Sequence, residues 1–210
     1  MKIITITSQD INSQPIETSN ILIILPFINY SKAQETAEML SKRANLDGTI
    51  ICIDDVKREG FIFIANQMFK QSSGAYVGYV AEDAFPGMNW LNIGLKKLES
   101  SSASLLAFND GKWQGHLASF GLVKREWAQK NYQGDLFYQS YQSHYADTEL
   151  TLLAKSDKVF AYDPHSILME VDINKEERKV NQNDKLLFSK RADAGFDGRV
   201  KDSALLEMFS

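Results

Sequence analysis

Cysteine is almost absent: Cys52 is the one thiol in 210 residues, and it sits in an apolar run, Ile50-Ile51-Cys52-Ile53. With no second Cys or His nearby, a disulfide framework and a thiolate metal site are excluded, and a buried structural thiol is expected. Histidine is scarce too, and His116, His144 and His165 form no His-x-x-x-His spacing that would hold zinc. Long apolar runs are missing. The longest, from Ile21 to Ile28, falls far short of the roughly 20 residues that span a bilayer, and the N-terminus lacks a basic start with a small-residue cleavage site. A cytoplasmic chain with no transmembrane segment is the expectation. Positive charge shows no excess, since 23 Lys and Arg face 27 Asp and Glu for a net −4 and a pI near 5.4, so no general field attracts nucleic acid. Phosphate-loop, Gly-x-Gly-x-x-Gly and Gly-x-Ser-x-Gly motifs do not occur, which weighs against kinases, dehydrogenases and hydrolases of those types. No repeat, low-complexity block or Gly/Ser linker divides the chain.

What is present is an ordinary globular composition, 44% hydrophobic and 24% charged, long enough for one sizeable core. Lys2 to Thr7 alternates Ile and Thr as a strand, and the polar stretch from Ser8 to Asn20, with Pro15, makes residues 1–20 read as an extension before the main unit. Ile21 to Phe27 reads as a parallel strand buried on both faces. A helix follows, with Ser31 and Gln34 resembling a capping box. Thr49 to Ile53 and Ala75 to Val80 are further strands, each followed by a helical stripe. Later, Ser104 to Phe108, Leu117 to Val123 and Val159 to Tyr162 read as strands and Tyr145 to Lys155 as a helix. Beyond Asp172 the chain turns polar, with Leu186, Leu187, Phe188 and Phe196 as anchors of a tail that packs on or over the body.

Acidic residues recur where these elements end or begin: Asp54-Asp55, Glu82-Asp83, and Asp147 with Glu149. Acids along one edge of a parallel sheet suit a ligand site there, and carboxylate oxygens suit Mg2+ or Mn2+. Each cluster also has a plain reading: Asp ends strands in turns, and an acid in a helix's first turn meets the dipole. Asn109-Asp110-Gly111 reads as an ordinary turn signal. Trp113, Tyr138 and Tyr141 lie in polar surroundings that suit stacking on a ligand, although core packing is the commoner role of such rings.

Several short motifs, in order, carry a resemblance that covers Ile21 to about Lys155. Leu25-Pro26-Phe27-Ile28-Asn29 is similar to a Pro-x-x-Asn after a first strand, and Ile53-Asp54-Asp55 to an Asp pair after a second. Gly74-Ala75-Tyr76-Val77-Gly78-Tyr79-Val80-Ala81-Glu82-Asp83-Ala84-Phe85-Pro86 resembles a passage containing a metal-binding Asp-x-Asp, with Trp90-Leu91 beyond it. His144-Tyr145-Ala146-Asp147-Thr148-Glu149-Leu150 is similar to a Glu-Asp-x-x-Leu helix start. Together these resemble the family 2 group of GT-A glycosyltransferases. Two positions depart from its pattern, Ala81 and Ala146, where the family carries acids.

The resemblance implies an α/β GT-A (nucleotide-diphospho-sugar transferase) fold, a Rossmann-like three-layer α/β/α arrangement with a mainly parallel central sheet. Residues 21–172 would form the catalytic domain, between the extension of 1–20 and a polar tail of 173–210. It implies transfer of a sugar from a UDP- or GDP-sugar to a hydroxyl of a glycan or lipid-linked saccharide, with inversion, in polysaccharide assembly. Contact with a membrane surface would then be peripheral. Asp147 would be the general base. Asp83, with His165, would hold Mn2+ or Mg2+. Pro26, Asn29, Asp54, Asp55, Asn66 and Glu82 would bind the donor; apart from the resemblance, Lys190 and Arg191 would meet its diphosphate if the tail folds over the site, a solvated basic pair being the alternative. Ala81 and Ala146 keep open a silent nucleotide-sugar-binding relative. A sugar nucleotidyltransferase is the third reading, although the Gly-rich loop of such enzymes is missing after Phe27.

Overall fold

The computed structural model describes residues 1–13, 16–171 and 180–209. Pro15 and the 172/173 boundary expected for the tail lie outside them. Strands β1 (Lys2–Thr7), β2 (Ile21–Phe27), β3 (Thr49–Asp54) and β4 (Tyr76–Tyr79) alternate with helices α1 (Tyr30–Arg43) and α2 (Phe61–Gln71). Then come β5 (Ala84–Pro86), α3 (Trp90–Ser100), β6 (Leu105–Asn109), β7 (Gly121–Lys124), α4 (Arg125–Ala128), α5 (Ala146–Ser156) and β8 (Phe160–Glu170). Helices α6 (Gln182–Asp193), α7 (Gly195–Gly198) and α8 (Ser203–Glu207) complete the described chain.

The strands form one sheet in the order β1-β3-β2-β4-β7-β6-β8-β5. β1, β3, β2 and β4 are parallel neighbours, β7 runs against β4 and β6, β8 is parallel to β6, and β5 is antiparallel to β8. Strand chemistry explains the layering. Leu22 and Ile24 of β2 point into one core with Ile51 and Ile53 of β3, while Ile23, Leu25, Ile50 and Cys52 point into the other. The period of two therefore needs cover on both faces. α2, α5 and Phe188 of α6 cover the first face, and α1 and α3 the second. Burial of each such aliphatic side chain contributes about 1.5–3 kcal/mol.

Several local expectations change. Helix α1 is capped by Asn29, whose side chain accepts from the Lys32 N–H, so it starts ahead of the Ser31 box. The first strand is the sheet's edge, paired with β3 along its whole length, and not an extension outside the body. β7 is only Gly121–Lys124, leaving residues 117–120 as a loop. β8 runs 11 residues, through a register shift opposite Ala107 and Asn109, to reach β5. In the tail Phe188, Phe196 and Val200 join the core, whereas Leu186 is exposed. No helix among the described residues is long and apolar enough to cross a membrane.

Candidate functional site

The C-terminal ends of β2, β3 and β4 meet at one edge of the sheet, and backbone bonds tie them together. The Asp55 N–H donates to the Phe27 carbonyl at 2.9 Å. Glu82 Oε2 accepts from the Ile28 and Asn29 N–H groups at 2.8 and 2.9 Å, and the Thr36 hydroxyl donates to the Glu82 carbonyl. Glu82, expected to contact the donor, therefore spends Oε2 joining the end of β4 to the entry of α1. Asp55 is buried and fully occupied, accepting from the Glu59 N–H through Oδ1 and the Gly60 N–H through Oδ2, both at 2.8 Å. Gly60 has φ +93°, a conformation side chains resist, and it starts α2. Asp54 is partly exposed, and its carboxylate has no hydrogen bond among the described residues.

Pro26 is buried in β2 opposite Ile53. Asn66, expected at the donor, is buried and clamps residue 137: its Nδ2 donates to the Phe137 carbonyl and its Oδ1 accepts the Phe137 N–H. Its amide has both functions satisfied inside the protein, so it holds the wall of the site and does not face a ligand.

Asp83 follows on the same edge. Its Oδ1 is buried without a hydrogen-bond partner among the described residues. An orphaned carboxylate oxygen costs roughly 1–3 kcal/mol, a cost that a bound cation removes. No group of three His, Cys, Asp or Glu capable of enclosing a metal exists among the described residues. One carboxylate fits a cation whose other positions go to ligand phosphates and water, the usual habit of Mg2+. His165 does not join it. The Val171 N–H bonds the Asp83 carbonyl and the Gly87 N–H the Ile167 carbonyl, which sets His165 six residues along β8 from Asp83's partner, about 20 Å of extended chain. Its ring is 83% exposed and lies 3.3 Å from Asp163.

Asp147 opens α5 beside this edge. It lines a cavity of about 160 Å3 with Phe61, Tyr79, Ala81, Ser119 and Phe137. Ala81 is the position where the resembled motif has its first Asp, so the base candidate and the metal motif share one cavity. A second hollow of about 800 Å3, bounded by Trp113, His144, Tyr145 and Phe209, shares Ser119, Phe120, Ser143 and Asp147 with the first. Burial pushes the Asp147 carboxyl up to about 6, opposed by hydrogen bonding from Thr148 and reinforced by Asp110. The Thr148 N–H donates to Asp147 Oδ1 at 2.8 Å. Thr151 links the Asp147 carbonyl to the Ala118 N–H, and the buried Tyr79 hydroxyl donates to the Ala118 carbonyl. Gly121 makes room for that ring, since a Cβ there would collide with the Tyr79 hydroxyl.

No family model matches the chain, and no curated protein matches it by sequence. Solved structures match it by shape. The mannosyltransferase PcManGT from Pyrobaculum calidifontis, in complex with GDP-Man and Mn2+, aligns over 88% of this chain and 66% of its own, with a TM-score of 0.57 and 12% identity. TarS from S. aureus, in complex with UDP-GlcNAc, aligns over 88% and 69% at a TM-score of 0.64 and 10% identity. A Drosophila β-1,4-galactosyltransferase 7 variant, in complex with manganese, UDP-Gal and xylobiose, aligns over 79% and 78% at a TM-score of 0.58 and 12% identity. This chain has the GT-A glycosyltransferase fold. It spans just under two thirds of the length of PcManGT.

Within this GT-A domain, two groups to which the sequence reading gave no individual role shape the site. Asp110 is buried after β6, where Oδ1 accepts from the Lys112 and Trp113 N–H groups and Oδ2 holds the Ser119 hydroxyl at 2.5 Å. In the sequence it stood in the Asn109-Asp110-Gly111 turn signal, at the head of the passage 108–125 that resembles the family's acceptor side. Asp184 of α6 is the other: it is buried and accepts three successive N–H groups, from Gln142, Ser143 and His144, at 2.8–2.9 Å. The expected donor residues Arg191 and Lys190 also sit on α6, but neither lines the cavities around Asp147. Arg191 forks onto buried Glu149, with two bonds of 2.7 Å, reaches Asp197, and lies 3.6 Å from the Tyr138 ring centroid. A guanidinium so engaged is unavailable to a diphosphate. Lys190 is exposed.

Proposed function

We propose that this chain transfers a sugar from a nucleotide-diphosphate sugar to an acceptor hydroxyl by one in-line displacement with inversion. The observation that carries this reading is the shared cavity of Asp147 and Ala81, the latter two residues before Asp83, whose Oδ1 has no hydrogen-bond partner among the described residues. A carboxylate lifted to about 6 is a competent base near neutral pH. Asp147 takes the acceptor hydroxyl's proton, with Thr148 fixing one of its oxygens. Asp54, whose carboxylate forms no hydrogen bond among the described residues, would contact the nucleoside end. Asp83 would hold Mn2+ or Mg2+, which when bound neutralises charge gathering on the departing diphosphate. PcManGT, TarS and the galactosyltransferase, described with GDP-Man, UDP-GlcNAc and UDP-Gal, support a donor of this class. Polysaccharide assembly and a cytoplasmic setting accord with this reading.

The test is calorimetric titration with UDP and GDP, with and without Mn2+, followed by a transfer assay. Asp83→Asn should weaken Mn2+-dependent nucleotide binding by tenfold or more. Asp147→Asn should leave binding within about twofold and remove at least 99% of transfer. Full transfer by Asp147→Asn would sink the assignment of the base. A second reading, a nucleotide-sugar-binding relative without turnover, is favoured by Ala81; nucleotide binding with no transfer or donor hydrolysis would select it.

A further inference from the structure

Helix α5 begins badly by its own local chemistry. Its N-cap is Tyr145, held at φ +69° with no side-chain cap bond, a left-handed conformation that strains a non-glycine residue. Asp147 sits only two residues on, so the base's position depends on whatever holds this turn. That support comes from α6. Asp184, Phe188 and Arg191 are spaced i, i+4, i+7 and form one face of that helix. Asp184 gathers the N–H groups of residues 142–144, the Phe188 ring stacks on Tyr145 at 4.7 Å and 24°, and Arg191 forks onto Glu149. The three contacts straddle Asp147, before it, at the strained turn and after it.

We propose that α6 is a positioning helix for the transfer reaction, in which Asp184, Phe188 and Arg191 fix the turn that aims the Asp147 carboxylate into the cavity. None of the three lines the cavities that Asp147 faces, so they act through the base and not on substrate. The proposal rests on the assignment of Asp147 as base, and its test has an arm that does not require turnover. The charged and titratable groups around Asp147 are Asp110 after β6 and Tyr79 of β4. Lys112, His144 and Glu170 share its larger cavity.

In the full chain labelled with 13C-aspartate, the Asp147 carboxyl is identified by its loss in Asp147→Asn and titrated by NMR. Wild type should titrate at about 6. Asp184→Asn and Phe188→Leu should admit water at the turn and move that midpoint down by at least about 0.5. An unchanged midpoint in a folded Phe188→Leu variant overturns the proposal, even where melting temperature falls. In parallel, release of nucleoside diphosphate from UDP-Gal, UDP-GlcNAc and GDP-Man is followed with Mn2+. The variants should lose about tenfold or more in kcat while KM for the donor stays within twofold, and Arg191→Lys should retain more activity than Arg191→Met. Equal loss in kcat and donor affinity would overturn positioning as well. If wild type turns over none of the three donors while the NMR midpoint shifts as expected, the transfer reading is what fails and the α6 grip stands.

Discussion

At the scale of single residues, Asp147 pays for its placement in stability. Its folded pKa of about 6 lies above the ordinary aspartate value, which is roughly 3.9 in an unfolded chain. As pH rises from about 4 to 6 the unfolded chain gives up a proton that the folded protein still keeps. Stability falls through that window, and the full penalty is present above pH 6, on the order of 2 kcal/mol once the partial exposure of the site is discounted. Asp147→Asn keeps an oxygen for the Thr148 N–H and carries no charge. It should therefore unfold at higher denaturant near pH 7.5, with the gain gone at pH 4; equal stability at both pH values would contradict the buried-charge account. The same ionisation sets activity, because only the carboxylate accepts a proton. The transfer rate of wild type should rise with pH through a midpoint near 6, and a flat profile from pH 5 to 8 would count against Asp147. Glu82, Asn66 and Asp55 show the complementary case, side chains in the site region that bond backbone partners, Asn66 and Asp55 through both terminal atoms and Glu82 through Oε2 alone.

At the scale of elements, β1 closes the side of β3 that would otherwise present an unpaired ladder centred on the apolar run Ile50-Ile51-Cys52-Ile53. Removing residues 1–13 should lower the melting temperature by several degrees and produce aggregates visible by size exclusion, because an exposed apolar edge pairs with other chains. A monodisperse, equally stable truncation would show that β1 is dispensable. Elements also divide by how plainly the sequence announced them. β2 and β3 were legible because burial on both faces demands unbroken aliphatic runs. The acids after β3 and β4 were legible as a group for the same reason, since the strands fix where each run stops. β8 was cut short in the reading because Asp163-Pro164-His165 interrupts its pattern, and three-residue β5 is too brief to show one. α6 was hidden for a different reason. Its working face is Asp184, Phe188 and Arg191, and a stripe that is two-thirds charged gives no apolar period. Partners such as Glu82 with Asn29, or Asp184 with Ser143, lie 53 and 41 residues apart, a separation at which no local signal links them.

At the scale of the whole molecule, strand order converts those distant segments into one edge: β3-β2-β4 brings together the strand ends that precede Asp54-Asp55, Asn29 and Glu82, the Asn29 N–H donates to Glu82, and α5 brings Asp147 into a cavity with Ala81. The tail helices belong to the same body, since Phe188, Phe196 and Val200 are in the core that β2, β3 and β4 share with α2 and α5. Cys52 sits between the sheet and α1, 2% exposed, with burial pushing its thiol up to about 11. The molecule therefore carries a built-in clock for its own opening. Alkylation by an excess of maleimide at neutral pH should proceed only as fast as the β2-β3 region parts from α1, so the labelling rate reads breathing of the sheet without any added probe. Bound nucleotide at the sheet edge would slow that clock, and new cysteines placed on the surface would react against a silent background.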